Sequence, residues 1–324
     1  MLTDLFNRLH DYLRVSLTDR CNLRCVYCMP ADGLQCMEHN EVLRNEEFVR
    51  LIRLFVLLGV RKVRFTGGEP LVRKGAIDII RQTRALSDCL ELAVTTNGLL
   101  LGDYLSELAE AGVSKINISL DSLNSRRFAE LTRRDVLPQV LANIDKTIET
   151  GKFIVKLNAV LFPETLLELD DFIAYCGSRD IELRFIEHMP FSEEERAMGF
   201  TSGDELLAAL SQRGELAAAP AADTSVARGY CLNRGGRRVR LGIIPPMSHK
   251  FCGACNRIRL TADGQVKACL LSSEERSLKD SMRAGASDEE LKEIILGALA
   301  LKGREHHISD ETIDMRRTMS KIGG

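Results

Sequence analysis

The chain has 324 residues, 45% of them hydrophobic, enough for one large α/β barrel or two domains with a sizeable core. Its formal charge is 44 − 46 = −2 with 28% charged residues, which argues against a nucleic-acid-coating surface. No apolar run approaches the ~20 residues a membrane span needs, and the opening MLTDLFNRLHDYLR lacks the apolar stretch of a signal peptide, so a cytoplasmic protein with neither nucleic-acid nor membrane partners is expected.

The first β-like run is YLRVSLT (12–18), followed directly by Cys21-x3-Cys25-x2-Cys28. An amphipathic stretch (46–58) leads to KVRFT (62–66) and the loop Thr66-Gly67-Gly68-Glu69-Pro70. Helical patterns at 75–86, 103–111, 138–150 and 165–178 then alternate with strand patterns at 90–96, 115–120, 153–160 and 181–186. Strict β/α alternation implies a parallel sheet with right-handed crossovers. The expected fold class is α/β, an incomplete (β/α)6 TIM-like barrel spanning 1–190. Residues 187–230 read as a connector with one helix (202–213), and LAAAPAADTSVARG reads as loop. Residues 191–324 are expected to form a smaller α+β region with helices at 275–283 and 288–302.

Strand parity separates two faces. Leu13, Val15, Leu17, Val63, Phe65, Leu92, Val94, Ile116, Ile118, Val155, Leu157, Leu183 and Phe185 fall on one side. Arg14, Ser16, Lys62, Arg64, Thr95, Asn117, Ser119, Lys156, Asn158 and Arg184 fall on the other. The apolar side belongs under the helices. The polar side then faces the barrel axis, where a filled (β/α)8 barrel would carry bulky aliphatics. A cationic lumen points to a bound ligand. The alternative is a one-sided sheet with a solvated face.

Ten cysteines in a long chain fit metal or cluster binding better than a disulfide framework. Three thiolates in eight residues, Cys21, Cys25 and Cys28, can hold a [4Fe–4S] cube and leave one iron open to a small molecule. A second triplet, Cys252, Cys255 and Cys269, has Arg257 and Arg259 beside it, two guanidinium forks suited to an anionic, hydrogen-bond-rich substrate. Zinc is the alternative at each, with Cys231 the nearest fourth ligand for the second. Cys36, Cys89, Cys176 and Cys231 match no ligand spacing, and Cys89 and Cys176 read as small core residues. His306-His307 reads as a surface pair.

CNLRCVYC with the GGEP loop resembles the radical S-adenosylmethionine (SAM) superfamily. FTGGEPLVR, AVTTNG, INISLDSL, KLNAVL, LRFIEHM, FCGACNRIRL and a terminal Gly323-Gly324 resemble, over residues 14–324, the GTP 3′,8-cyclase family of molybdenum-cofactor biosynthesis. The resemblance implies two [4Fe–4S] clusters on the two triplets and SAM contacts at Tyr27, Gly68, Ser119 and Met189. It implies GTP contacts at Arg14, Arg64, Thr95, Lys156, Arg257, the backbone of Ile258, and Arg259, with Arg257 and Arg259 as the catalytic pair. Lys62 and Arg73 stay outside the set, and Arg184 is the expected partner of the glycine tail. The implied reaction is abstraction of H3′ of GTP by a 5′-deoxyadenosyl radical, followed by attack of C3′ on guanine C8. The product is (8S)-3′,8-cyclo-7,8-dihydroguanosine 5′-triphosphate. The implied partners are GTP, an electron donor and a downstream cyclic pyranopterin monophosphate synthase; a homodimer stays open. The rival reading is a peptide-modifying radical SAM enzyme with an auxiliary cluster.

Overall fold

Leu13, Val15, Val63, Phe65, Leu92 and Val94 are fully buried, the outcome that period-two alternation dictates when helices cover one face of a sheet. The computed structural model describes residues 1–33, 35–190, 192–220, 226–306 and 319–323. Six β/α units come first: β1 (Tyr12–Ser16), α1 (Asn45–Leu57), β2 (Lys62–Thr66), α2 (Ala76–Arg84), β3 (Glu91–Thr96) and α3 (Leu101–Glu110). They continue with β4 (Val113–Ser119), α4 (Ser125–Thr132), α5 (Leu137–Glu149), β5 (Ile154–Leu161), α6 (Leu169–Arg179) and β6 (Glu182–Glu187). The expected elements are all present, most shifted by a residue or two at their ends; α6 starts four residues later than expected, after a 3₁₀ turn at Pro163–Glu168. The sequence reading missed α4, whose SRRFAELT buries only Phe128, Leu131 and Thr132.

After β6 come α7 (Glu193–Arg196), α8 (Gly203–Ser211), β7 (Glu215–Ala219), β8 (Arg228–Arg234), β9 (Arg237–Ile244) and β10 (Arg257–Leu260). The chain continues through β11 (Gln265–Lys267), β12 (Arg276–Ser277), α9 (Leu278–Arg283), α10 (Asp288–Ala300) and α11 (Met319–Ile322). The expected connector at 187–230 is thus corrected. Glu215–Ala219 and Arg228–Arg234 are antiparallel strands, and β8 pairs with β9 through the two-residue turn Gly235-Gly236. Their ladder bonds, not buried apolar side chains, make them strands. Residues 221–225, part of the loop-like stretch, lie outside the described residues. The pattern at 275–283 is also split: Arg276 and Ser277 pair with β11 before the helix starts.

One sheet runs β12-β11-β10-β1-β2-β3-β4-β5-β6-β9-β8-β7. β10 pairs parallel to β1 and β9 parallel to β6. The segment after residue 190 therefore extends both ends of the six-stranded centre. A hydrophobic core runs unbroken from Leu2 and Leu13 through Leu183 to Leu260 and Ile295. No helix among the described residues is long and apolar enough to cross a membrane.

Candidate active site

The cysteine loop after β1 is shaped by its neighbours. Val26 N–H donates to Leu131 O at 2.9 Å, and Arg24 N–H to Thr132 O at 3.0 Å. Arg133 Nη1 donates to the carbonyls of Arg24 and Met29, each at 2.9 Å. The end of α4 thus holds the loop that carries Cys25 and Cys28. From the other side, Gly68 N–H donates to Thr18 O at 2.7 Å and Glu69 N–H to Arg20 O at 2.8 Å. A Cβ on Gly68 would stand 2.4 Å from Arg20 O, so only glycine lets the two loops meet. Glu69 is fully buried and accepts from Leu71 N–H, Thr96 Oγ1 and Asn97 N–H at 3.2, 2.8 and 2.8 Å. Burial pushes its carboxyl up to about 7 against these hydrogen bonds. Asn97 Nδ2 reaches Cys21 Sγ at 3.7 Å. Tyr27 O–H donates to buried Asp121 at 2.5 Å. Burial raises the Cys21 thiol to about 11 and pushes the Cys25 thiol well above its ordinary value, with Glu69 and Asp121 respectively adding to the effect.

Register builds the cationic wall. Arg14 is the direct partner of Arg64 on β2 and of Arg259 on β10. Tyr12, two residues earlier, is the partner of Lys62 and Arg257. Two layers of side chains result, Lys62–Tyr12–Arg257 and Arg64–Arg14–Arg259, on the lumen side of three adjacent strands. Arg64 Nε donates to Tyr12 Oη at 2.6 Å, and its Nη1 reaches Thr95 Oγ1 at 3.2 Å. Burial raises the Tyr12 phenol, but Arg64, Arg14, Lys62 and Arg257 outweigh it and hold the group at about 7. Burial first, then Arg64 and Arg257, bring Arg14 down to about 10. On the opposite wall, Lys156 Nζ pairs with Glu182 at 2.9 Å, and the same carboxylate takes Arg184 Nε at 2.5 Å.

The second triplet closes the lumen beside β10. Cys252 opens a 3₁₀ turn, Cys252–Ala254. Cys255 precedes β10, and Cys269 follows β11. Burial raises the Cys255 thiol, but Lys302 and Arg257 bring it to about 7. The two triplets thus sit in opposite fields, the first beside carboxylates and the second beside cations.

A cavity of about 380 Å³ joins these parts. Its lining includes all six triplet cysteines. Tyr27, Gly68, Ser119 and Met189 also line it, together with Arg14, Arg64, Thr95, Lys156, Arg257 and Arg259. Ile258 points its side chain into the core, 0% exposed, so only its backbone is available. Lys62, set aside in the sequence reading, lines the cavity too, as do Tyr12, Asn117 and Asn158. Tyr12 shares the parity of Arg14, a signal that could have found it. Arg73 instead donates to Leu17 O, Leu43 O and Asn45 Oδ1, each at 2.8 Å.

Three expectations are corrected. The glycine tail meets Arg259, not Arg184: Arg259 Nη1 donates to Gly323 O, whereas Arg184 is held by Glu182. Gly323 has φ +83, and a Cβ there would stand 2.7 Å from Ser16 Cβ and Thr66 Oγ1; Gly324 lies outside the described residues. Cys89 is exposed, not core, because it sits in the turn after α2, its N–H bonded to Ser87 Oγ at 3.2 Å. His306 is half-buried and on the cavity wall, its Nε2 bonded to Pro246 O at 3.0 Å; His307 lies outside the described residues. Cys176 is buried, as expected. Cys231, on β8, accepts from Arg238 Nε at 2.9 Å and is not among the residues that line the cavity with the second triplet. Among the described residues no three His, Cys, Asp or Glu side chains converge on a single metal ion.

Two family models match the chain, Radical SAM superfamily over residues 15–176 and Molybdenum Cofactor Synthesis C over 181–308. It is 44% identical to GTP 3′,8-cyclase of Corynebacterium glutamicum, covering 100% of this chain and 89% of that protein. It is 41% identical to GTP 3′,8-cyclase of Desulforamulus reducens over 100% of both chains. Among solved structures, Streptococcus suis SuiB bound to precursor peptide SuiA superposes with TM-score 0.61 at 14% identity, covering 91% of this chain and 68% of that one. At that identity the likeness concerns the fold alone.

Proposed function

Because this chain belongs to the GTP 3′,8-cyclase family of radical SAM enzymes, we propose a division of labour between its two cysteine triplets. Cys21, Cys25 and Cys28 hold the [4Fe–4S] cluster that binds SAM. Cys252, Cys255 and Cys269 hold a second [4Fe–4S] cluster against the purine of GTP. The arginine wall between them grips the triphosphate. The observation that carries this reading is that both triplets and the wall open onto one cavity.

The donor sets suit the groups. None of the ten cysteines is in a disulfide, and three soft sulfurs per loop match iron–sulfur ligation with one position left open. Asn158 Oδ1 is buried on the cavity wall without a hydrogen-bond partner among the described residues, a polar atom that invites a ligand.

When bound, SAM supplies the 5′-deoxyadenosyl radical that removes H3′ of GTP. The protein's part is placement. Tyr27, fixed by Asp121, and Gly68, pressed against Arg20, shape the SAM end, with Ser119 and Met189 beside them. Arg14, Arg64, Lys156 and Thr95 face the triphosphate, and Lys156 exchanges Glu182 for phosphate as GTP enters. Arg257 and Arg259, with the Ile258 backbone, hold the base and ribose end. Arg259 is steadied by the Gly323 carbonyl. An external electron donor and a downstream cyclic pyranopterin monophosphate synthase complete the sequence of steps.

The test is anaerobic reconstitution followed by iron and sulfide analysis and incubation with GTP, SAM and dithionite. About eight irons with matching sulfide, 5′-deoxyadenosine and a cyclised GTP isomer are expected. Zinc without sulfide, or 5′-deoxyadenosine with unchanged GTP, would overturn the assignment.

A further inference from the structure

A buried lysine stands behind the second triplet. Lys302 follows α10 and is 5% exposed. Its three ammonium hydrogens have three acceptors: Arg257 O at 2.9 Å, Cys255 Sγ at 3.4 Å and His10 Nδ1 at 3.4 Å. Behind it lies a hook formed by the first ten residues. His10 is 0% exposed, and its Nε2 meets Asp4 Oδ2 at 3.0 Å. Asp4 also accepts from Arg8 Nε at 2.6 Å and from the Arg8 and Phe6 N–H groups at 3.0 and 2.9 Å. These bonds hold the Asp4 carboxyl at about 2 although burial opposes them. An ionised carboxylate only accepts, so His10 Nε2 carries the proton and Nδ1 is left to accept from Lys302. Arg8 closes the hook by donating to Cys252 O and Arg304 O at 2.8 Å and to Gly303 O at 2.7 Å.

The chain Asp4–His10–Lys302–Cys255 therefore delivers one fixed, desolvated positive charge to a ligand sulfur. At the first triplet the charges run the other way: Cys21 meets the neutral amide of Asn97, and the acidic side chains of Glu69 and Asp121 act on Cys21 and Cys25 respectively. Hydrogen bonds and positive charge at ligand sulfur favour the reduced, more negative cluster.

We propose that Lys302 is a positioning residue that sets the second cluster's reduction potential above that of the first, with His10 and Asp4 holding its ammonium on Cys255. This rests on the two-cluster reading. It orders the two centres energetically: the first is the strong reductant that SAM cleavage needs, and the second is the easier one to keep reduced beside the substrate. The loss of this charge on substitution acts through Cys255, not through contact with GTP.

The test is a potentiometric titration of the reconstituted holoenzyme followed by electron paramagnetic resonance. The first cluster is identified by its spectral response to added SAM. Lys302→Met is expected to keep the iron and to move the second cluster's midpoint negative by about 59 mV or more, a tenfold change in its reduced fraction at fixed potential. The first cluster stays in place, and Lys302→Arg recovers most of the shift. Loss of the second cluster in Lys302→Met but not in Lys302→Arg also supports a charge role. An unshifted midpoint in iron-replete Lys302→Met, or equal loss of the cluster in both variants, overturns it. If the wild-type protein holds one cluster only, the two-cluster reading itself fails, a result the iron count separates from an unshifted midpoint.

Discussion

Arg14 and Arg259 are direct partners on adjacent parallel strands, two guanidinium groups on one face of the sheet. Arg64 flanks Arg14 on its other side. Like charges directly opposite one another destabilise a sheet, a cost to the empty fold that, under the proposed function, a bound triphosphate would offset. At a pH below about 7, where the Tyr12 phenol is neutral, Arg14→Met is therefore expected to raise the melting temperature of the ligand-free protein by about 1–2 °C, since relief of such a contact is worth on the order of 1 kcal/mol. The same variant should weaken GTP binding roughly ten- to a hundredfold, the loss of a charged hydrogen bond. Calorimetry and equilibrium binding read both effects. A melting temperature that falls would show that Arg14 stabilises the empty protein.

Tyr12 gives a pH signature. Its phenol is held at about 7 by the four surrounding cations, against roughly 10 in the unfolded chain. Its ionisation stabilises the fold fully above the unfolded value, and this contribution is lost as pH falls through about 7. Tyrosinate difference absorbance should show one of the five tyrosines titrating near neutrality, absent in Tyr12→Phe. GTP should move that titration upward, because the triphosphate neutralises the same cations. An identical curve in Tyr12→Phe would assign the signal elsewhere.

The tail makes a steric prediction. Gly323 adopts φ +83, and its missing Cβ leaves room for Ser16 and Thr66. Gly323→Ala combines backbone strain of about 1–2 kcal/mol with that clash, so the tail should leave Arg259. Cyclisation should drop by tenfold or more while iron content and SAM binding hold. Unchanged turnover would mean that the Arg259–Gly323 contact has no part in the reaction.

Much of this was legible in residues alone. Period-two parity separated the core face from the lumen, and the cysteine spacings marked both loops. What escaped were relationships carried by pairing. Tyr12 shares parity with Arg14, but only the register sets it between Lys62 and Arg257. β7 and β8 offered few core residues, so their ladder bonds outweighed a weak apolar signal; the Asn-Arg-Gly-Gly-Arg turn at 233–237 was the usable cue. α4 is short and half exposed, yet it anchors the first cysteine loop. Lys302 and His10 lie 292 residues apart, and no local pattern connects them.

Under the proposed division of labour the two cysteine triplets do different work, and Cys269→Ala separates them. Reconstituted anaerobically and supplied with GTP, SAM and dithionite, this variant should still form 5′-deoxyadenosine while yielding no cyclised GTP. Cyclised product at a rate near that of the unaltered protein would contradict a substrate-holding role for the second triplet.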